Sequence, residues 1–248
     1  MLEILLQTAD FVAVNKPPGI AVHQEAGADN LQQMLAAQLG VPQLWLLHRL
    51  DKPTSGVLLF ARHPQAASDL AQQFAGRQMH KTYLALSDGK PAKKQGWVKG
   101  GMEKSRRGTW KLTRATENFA VTHFTSRALA PGLRLFLLKP HTGKTHQLRV
   151  AMKSLSAPIL GDTAYGGTTA PRLFLHAWRI AFEYGGTHFD ITAPLDLSWP
   201  SETATALQEM TLTYSRRVNS DTRWQAADST SSTSRRTCCF SSLVKPPL

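Results

Sequence analysis

Residues 48–61 read HRLDKPTSGVLLFA. Pro53 disfavours the α conformation at Lys52, so the chain after Asp51 is extended or turned. Thr54, Ser55 and Gly56 are turn formers, and GVLLFA (56–61) is a short continuous apolar run, the pattern of a buried strand. Asp51 therefore stands at the entrance to a buried strand, on a stiff support suited to a functional side chain. Arg49 and Lys52 flank it, and neighbouring cations favour the charged carboxylate. Such a group can serve as nucleophile or base. The plain alternative is a loop aspartate paired with Arg49 on the surface.

Working outward, strands are expected at LEILL (2–6) and FVAVN (11–15), the second closed by KPPG (16–19), since prolines cannot continue a ladder. NLQQMLAAQL (30–39) spaces Leu31, Met34, Leu35 and Leu39 as one helical face before Gly40 and Pro42. A second helix is expected over 64–77, opened by Pro64, then a strand at KTYLALS (81–87). Strand-like runs return at 119–129 and 133–140, and HQLRVAMKSL (146–155) reads as a helix. RLFLHAWRIAFEY and THFDITAP form a hairpin across Gly185 and Gly186, and SETATALQEMTLTY a closing helix with Ser201 as N-cap. Strands and helices mix without a βαβ rhythm. The expected class is α+β with a mixed, largely antiparallel sheet.

The chain has 248 residues, with 29 Lys and Arg against 17 Asp and Glu, a formal charge of +12 and a pI near 10.0. That excess points to a polyanionic partner, nucleic acid first. Residues 93–114 concentrate it: Lys93, Lys94, Lys99, Lys104, Arg106, Arg107, Lys111 and Arg114 against Glu103, with Trp97 and Trp110 interleaved and glycines loosening the backbone. The stretch suits RNA-backbone contact with aromatic stacking, or it is a solvated mobile loop. From Arg216 the sequence is Ser/Thr-rich and aperiodic, which predicts a disordered tail over 216–248 behind a catalytic domain spanning 1–215. Cys238 and Cys239 are the only cysteines, so neither a disulfide framework nor a cysteine zinc site is expected. No signal peptide and no apolar run of the ~20 residues a membrane span needs is read. A cytoplasmic location is expected.

Three motif readings fail. HRLD is similar to a kinase catalytic loop, yet the asparagine, DFG and Gly-rich loop that belong with it are missing. TGKT (142–145) lacks the first glycine of a phosphate-binding loop, Leu138 standing there. The histidines are scattered with no HExxH, and no metal is expected.

HRLDKPTSGVLLFAR resembles the hallmark motif of the RluA-type RNA pseudouridine synthases, HRLD-x-x-TSG followed by an apolar strand. DFVAVNKPPGIAVH (10–23) resembles the family's opening motif, KTYLAL (81–86) its Lys-x-Tyr motif, and LKPHTGKTHQLRVAMKSLSAPILGDTAYGG (138–167) its third motif, followed by the strand RLFLHAWRIAF. The resemblance covers about residues 2–200. It departs in three ways. Lys144 replaces an arginine, which keeps charge and loses the bidentate fork. Ala151 and Met152 stand where a histidine is common. No accessory RNA-binding domain precedes the motifs.

The resemblance implies a single pseudouridine-synthase domain, its sheet flanked by helices around a central cleft. The implied reaction detaches a uridine of ribosomal or transfer RNA from its sugar, rotates it and rejoins it through carbon, with no cofactor, in a monomer. By resemblance Asp51 is the catalytic carboxylate. Attack on the sugar, attack on the base and abstraction of a ribose proton all stay open. Tyr83 offers a ring to stack on the base, and Arg149 pairs with Asp51 and aims it. The base must flip out, and Arg49 is expected to fill the vacated space or touch the adjacent phosphate. Substrate contact is also carried onto His48, Lys16, Thr54, Lys144, His146 and Gln147, and onto Leu148 and Leu175 as apolar lining, although plain core packing is the better account of the two leucines. Two alternatives stand beside this. A glycosidic-bond hydrolase needs a second carboxylate, for which Asp162 of GDTAYG is the candidate if it lies near Asp51. A non-catalytic RNA-binding protein needs none.

Overall fold

The computed structural model describes residues 1–22 and 30–211. The tail expected over 216–248, and the boundary at 215, lie outside the described residues. Residues 1–206 form one compact unit.

The order of elements is β1 (Glu3–Gln7), β2 (Phe11–Lys16), α1 (Leu31–Leu39), β3 (Trp45–Leu46), β4 (Ser55–Ala61), α2 (Pro64–Ala75), β5 (His80–Ser87), β6 (Gln95–Lys104), β7 (Trp110–Thr113), β8 (Phe119–Ala130), β9 (Leu133–Pro140), α3 (Gln147–Ser154), β10 (Leu175–Tyr184) and β11 (Thr187–Thr192). Residues 202–211 are helical. All eleven strands join one sheet in the order β1-β2-β4-β10-β5-β9-β8-β6-β7, with β11 on β10 and β3 on β4. Among the described residues only the β4–β10 pair is parallel; the others are antiparallel. The α+β class expected from the sequence is the one found.

β2 and β4 are buried on both faces, which explains their unbroken apolar runs. Val12, Val14, Leu58 and Phe60 pack against Leu31 and Leu35 of α1. Phe11, Ala13, Val57 and Leu59 pack against Leu70 of α2 on the opposite face. The helices start where local chemistry allows. Asn30 caps α1 in a reciprocal box with Gln33, and His63 accepts from the Ala66 amide ahead of Pro64. A third cluster sets Leu148, Ala151 and Met152 of α3 on Ala85, Phe124, Phe136 and Leu138. Tyr83 packs against both the α1 and the α3 clusters, so it lies at the junction of those two helices on one sheet face.

The basic stretch 93–114 corrects the expectation of a loosened loop. It is a regular hairpin, β6 paired with β7 from Gly101↔Thr113 to Lys104↔Trp110, with β6 also zipped to β8. Two of its glycines belong to the packing: a Cβ on Gly100 or Gly101 would press on the carbonyls of Thr113 or Ala115.

Two features hold the turn that carries Asp51. Lys16, at the end of β2, is fully buried. Its Nζ donates to the carbonyls of Pro17 (3.0 Å), Lys52 (2.9 Å) and Thr54 (2.8 Å), using all three ammonium protons. Burial pushes this amine down to about 8, with the Asp51 charge opposing and Arg172 adding to the fall. The Gly19 amide donates to the same Lys52 carbonyl, and the Thr54 amide closes the turn on the Asp51 carbonyl, both at 2.9 Å. Beyond the turn, Gly56 adopts φ +111°, and a Cβ there would stand 2.2 Å from the Ala177 carbonyl oxygen of β10. Only glycine permits this approach.

Lys16→Met is expected to take the donor from the Pro17 and Thr54 carbonyls, leaving Lys52 only the Gly19 amide, and to lower unfolding free energy by roughly 2–4 kcal/mol in urea titrations. Gly56→Ala is expected to lower it by at least about 2 kcal/mol in the same measurement, because both the backbone conformation and the β4–β10 contact resist the methyl group.

Candidate active site

Asp51 leaves the laced turn with its side chain one-fifth exposed. Facing it is the start of α3. Arg149 sits one turn into that helix, nearly buried, and places Nη1 3.7 Å from Asp51 Oδ2. The rest of its guanidinium is committed elsewhere: Nε donates to Asp162 Oδ2 at 2.8 Å and Nη2 to Asp162 Oδ1 at 2.7 Å. This is a bidentate fork, the strong form of an arginine–carboxylate pair, and Asp162 is almost wholly buried. The Asp162 charge and hydrogen bonds, joined by Asp51 and Tyr165, hold the guanidinium above its ordinary range despite burial. Arg149 thus links two carboxylates. It is fixed by the inner one and presents its free Nη1 edge to the outer one.

Asp162 is itself placed by glycines. Gly161 has φ +84°, and a Cβ on it would overlap the Arg172 carbonyl. Tyr165 then follows in a single 3₁₀ turn and is fully buried. The Arg149 guanidinium lies 4.7 Å from its ring centre. Its hydroxyl accepts from the Trp110 amide at 2.9 Å and lies 2.8 Å from His146 Nδ1. His146 Nε2 points back to Asp51 Oδ2, 4.0 Å away. His146 precedes α3 in a left-handed conformation, φ +56°, costly for a non-glycine residue. Burial pushes its imidazole down, helped by Arg149 and Arg49 and opposed by Asp51 and Asp162.

Tyr83 closes the site from β5. Burial raises its phenol well above the ordinary tyrosine range, and the Asp51 charge adds to the rise, so the ring is neutral and within electrostatic reach of the carboxylate. Leu148 and Leu175 lie beneath it in the α3 cluster. Arg49 is exposed at the rim, close enough to act on His146.

The structure therefore gathers Asp51, Arg149, Tyr83, His146 and Arg49. Other residues expected to touch substrate are occupied within the protein. Lys16 is used wholly in the turn. His48 accepts from the Leu59 amide at 3.1 Å and stacks on Phe74 at 4.7 Å; burial first, then Lys81, pushes it down to about 3, so it is a neutral packing histidine. Gln147 is buried, its oxygen accepting from Thr142 Oγ1 and the Lys144 amide, its nitrogen donating to Val121 O and Thr122 Oγ1. It ties the 141–146 loop to β8. Thr54 is buried and its hydroxyl has no partner; its backbone serves the turn. The Lys144 side chain is half-buried at the loop.

Asp162 meets the proximity condition for a hydrolase, since one guanidinium spans both acids. It does not meet the chemistry: both oxygens are bound in the fork and closed to solvent. The two tryptophans also separate. Trp110 packs beside Tyr165, Met102, Ala120 and Val150, whereas Trp97 is 52% exposed, 4.9 Å from the His123 ring and 5.0 Å from the His141 ring, with Lys99 Nζ 5.3 Å from its centre. Sequence reasoning missed Tyr165 and undervalued Asp162. The available signal was the glycine-bracketed GDTAYGG, whose turn can only be tight. Among the described residues no helix is long and apolar enough to cross a membrane, and no group of His, Cys, Asp and Glu is arranged to hold a metal.

The sequence model of the RNA pseudouridylate synthase family matches residues 10–154. An uncharacterized RNA pseudouridine synthase of Haemophilus influenzae is 49% identical over 193 residues, spanning 77% of this chain and 86% of that protein. The tRNA pseudouridine synthase C of Vibrio vulnificus is 34% identical over 235 residues, spanning 80% and 93%. Among solved structures, human RNA pseudouridylate synthase domain containing 1 superposes with a TM-score of 0.69 at 26% identity, covering 82% of this chain and 87% of that one. These matches span the laced turn, the Tyr83 strand and the Arg149 helix together: the chain belongs to the RNA pseudouridylate synthase family, in its RluA-type branch, and is an enzyme that isomerises uridine in RNA to pseudouridine.

Proposed function

We propose that Asp51 carries out the isomerisation on a uridine flipped out of transfer or ribosomal RNA, with Arg149 and Tyr83 as its two partners. The observation that carries this reading is the 3.7 Å approach of Arg149 Nη1 to an Asp51 that stays partly open to solvent. Chemistry at the glycosidic bond needs a carboxylate whose lone pairs are available and whose direction is fixed. A cation locked by a second acid supplies direction without closing over the reactive oxygens. Tyr83, neutral and packed on Leu148 and Leu175, offers a flat face on which the pyrimidine stacks, and in this reading its hydroxyl serves the proton that must leave the base carbon.

Flipping costs a few kcal/mol, least in a loop. Arg49, exposed beside the site, fills the vacated stack or holds the neighbouring phosphate. Trp97 with Lys99 forms the outer stacking platform, since it is the exposed tryptophan of the basic hairpin. The choice of RNA follows the relatives' names: transfer RNA for the Vibrio vulnificus enzyme, and the ribosomal large subunit for a Rickettsia bellii relative 36% identical. The reading takes residues 1–215 as the catalytic domain, acting as a monomer in the cytoplasm, where both RNA classes are met.

Asp51→Asn tests the reading against a non-catalytic RNA binder. With unmodified transfer and ribosomal RNA, pseudouridine formation is expected to fall at least ~10³-fold at unchanged RNA affinity. Retained product formation by the variant sinks the assignment. Arg149→Lys keeps the charge and loses the fork on Asp162. Its turnover, measured by tritium release from 5-tritiated uridine, is expected to drop about 10–100-fold with little change in KM.

A further inference from the structure

We propose that Tyr165 is a positioning residue for the reaction: its hydroxyl locks His146 in the neutral Nε2–H tautomer, so that the imidazole faces Asp51 as a donor and not as a second cation. The inference rests on the reading of Asp51 as the reacting group.

The argument begins with proton counting. Tyr165 Oη accepts the Trp110 amide at 2.9 Å and touches His146 Nδ1 at 2.8 Å, and the residue is 1% exposed. A phenol has one proton to give. If Nδ1–H donated to the oxygen, the oxygen would accept twice and its own proton would be buried without an acceptor. If the hydroxyl donates to Nδ1, every group is satisfied. The ring proton then sits on Nε2, aimed at Asp51 Oδ2 across 4.0 Å. That gap exceeds a hydrogen bond and leaves room for a substrate oxygen to accept from the imidazole beside the carboxylate.

The phenol is held for this task. The Arg149 guanidinium lies over its ring, and Lys153 Nζ stands 5.9 Å from the ring centre. The left-handed backbone at His146 aims the imidazole between Tyr165 and Asp51. The charges facing that imidazole are Asp51 and Asp162, which favour a proton on it, and Arg149 and Arg49, which disfavour one together with burial. These influences are opposed, so occupation of Nδ1 by the Tyr165 proton weighs heavily. A doubly protonated ring would pair with Asp51 and occupy the lone pairs the reaction needs.

Tyr165→Phe removes the hydroxyl and keeps the ring. In the variant the acid limb of kcat/KM is expected to move up by about one pH unit, the effect of losing one hydrogen bond to the neutral imidazole. At pH values well below the wild-type limb this approaches about a tenfold loss, and it is recovered by pH 8.5. In a His146→Gln background, which has no ring to titrate, Tyr165→Phe should add no pH-dependent loss. A superimposable profile, a loss uniform across pH, or a pH-dependent loss that persists in the double variant overturns the proposal. Nitrogen-15 shifts of the wild-type histidines provide a readout free of the variant's folding: a dominant Nδ1–H tautomer at His146 also overturns it. If wild-type protein forms no pseudouridine, the role given to Asp51 falls, while the nitrogen shifts still decide the tautomer.

Discussion

The arrangement depends on one guanidinium shared between two carboxylates. Arg149 gives two parallel bonds to buried Asp162 and one free edge to Asp51. A lone arginine beside a surface aspartate would lose most of its directing value to side-chain entropy and solvent. Here that entropy is removed by the inner fork, and the stack on Tyr165 fixes the plane of the guanidinium. Asp162 is the second acid that a hydrolase would need, and its engagement in the fork leaves Asp51 as the solvent-open carboxylate of the two. The same ion pair binds the third motif into a unit, because α3 and the GDTAYG turn meet through it and through Tyr165.

The other half of the site is held by backbone chemistry. Lys16 comes from the opening motif, and its ammonium satisfies three carbonyls of the two turns that flank Asp51. The lysine and the HRLD turn depend on each other. Each supplies what the other would otherwise leave unsatisfied in the interior. Gln147 does the same for the loop before α3, with four bonds to its amide group.

Strand and helix positions were legible because burial on one or both faces leaves a periodic trace: 56–61 read as a strand and is β4, and 30–39 read as a helix and is α1. Asp51, Tyr83 and Arg149 were found through motif resemblance, and the geometry brings them together. What stayed hidden is the division between residues that meet substrate and residues that hold those residues. His48, Lys16, Thr54 and Gln147 are polar and lie within motifs, and nothing in a linear sequence says which way a polar side chain points. Within 93–114, Gly100 and Gly101 resemble loop residues, whereas they mark close approach of neighbouring backbone. The two-residue strand β3 left no periodic trace at all.

The sole parallel pairing in the sheet has a consequence for biosynthesis. Ser55 Oγ meets His176 Nδ1 at 2.9 Å, across 121 residues of chain, and Arg172 also binds that hydroxyl. The strand that begins immediately after the HRLD turn pairs with β2 early, and therefore acquires its neighbour on the other edge only when β10 has left the ribosome. Antiparallel hairpins such as β8–β9 can zip as they emerge, whereas a contact of this separation must wait for loop closure. A nascent chain stopped before residue 175 would carry Asp51, Arg149 and Tyr83 and still lack the strand that lies between β4 and β5, so the Asp51 turn and the Tyr83 strand are joined late in synthesis.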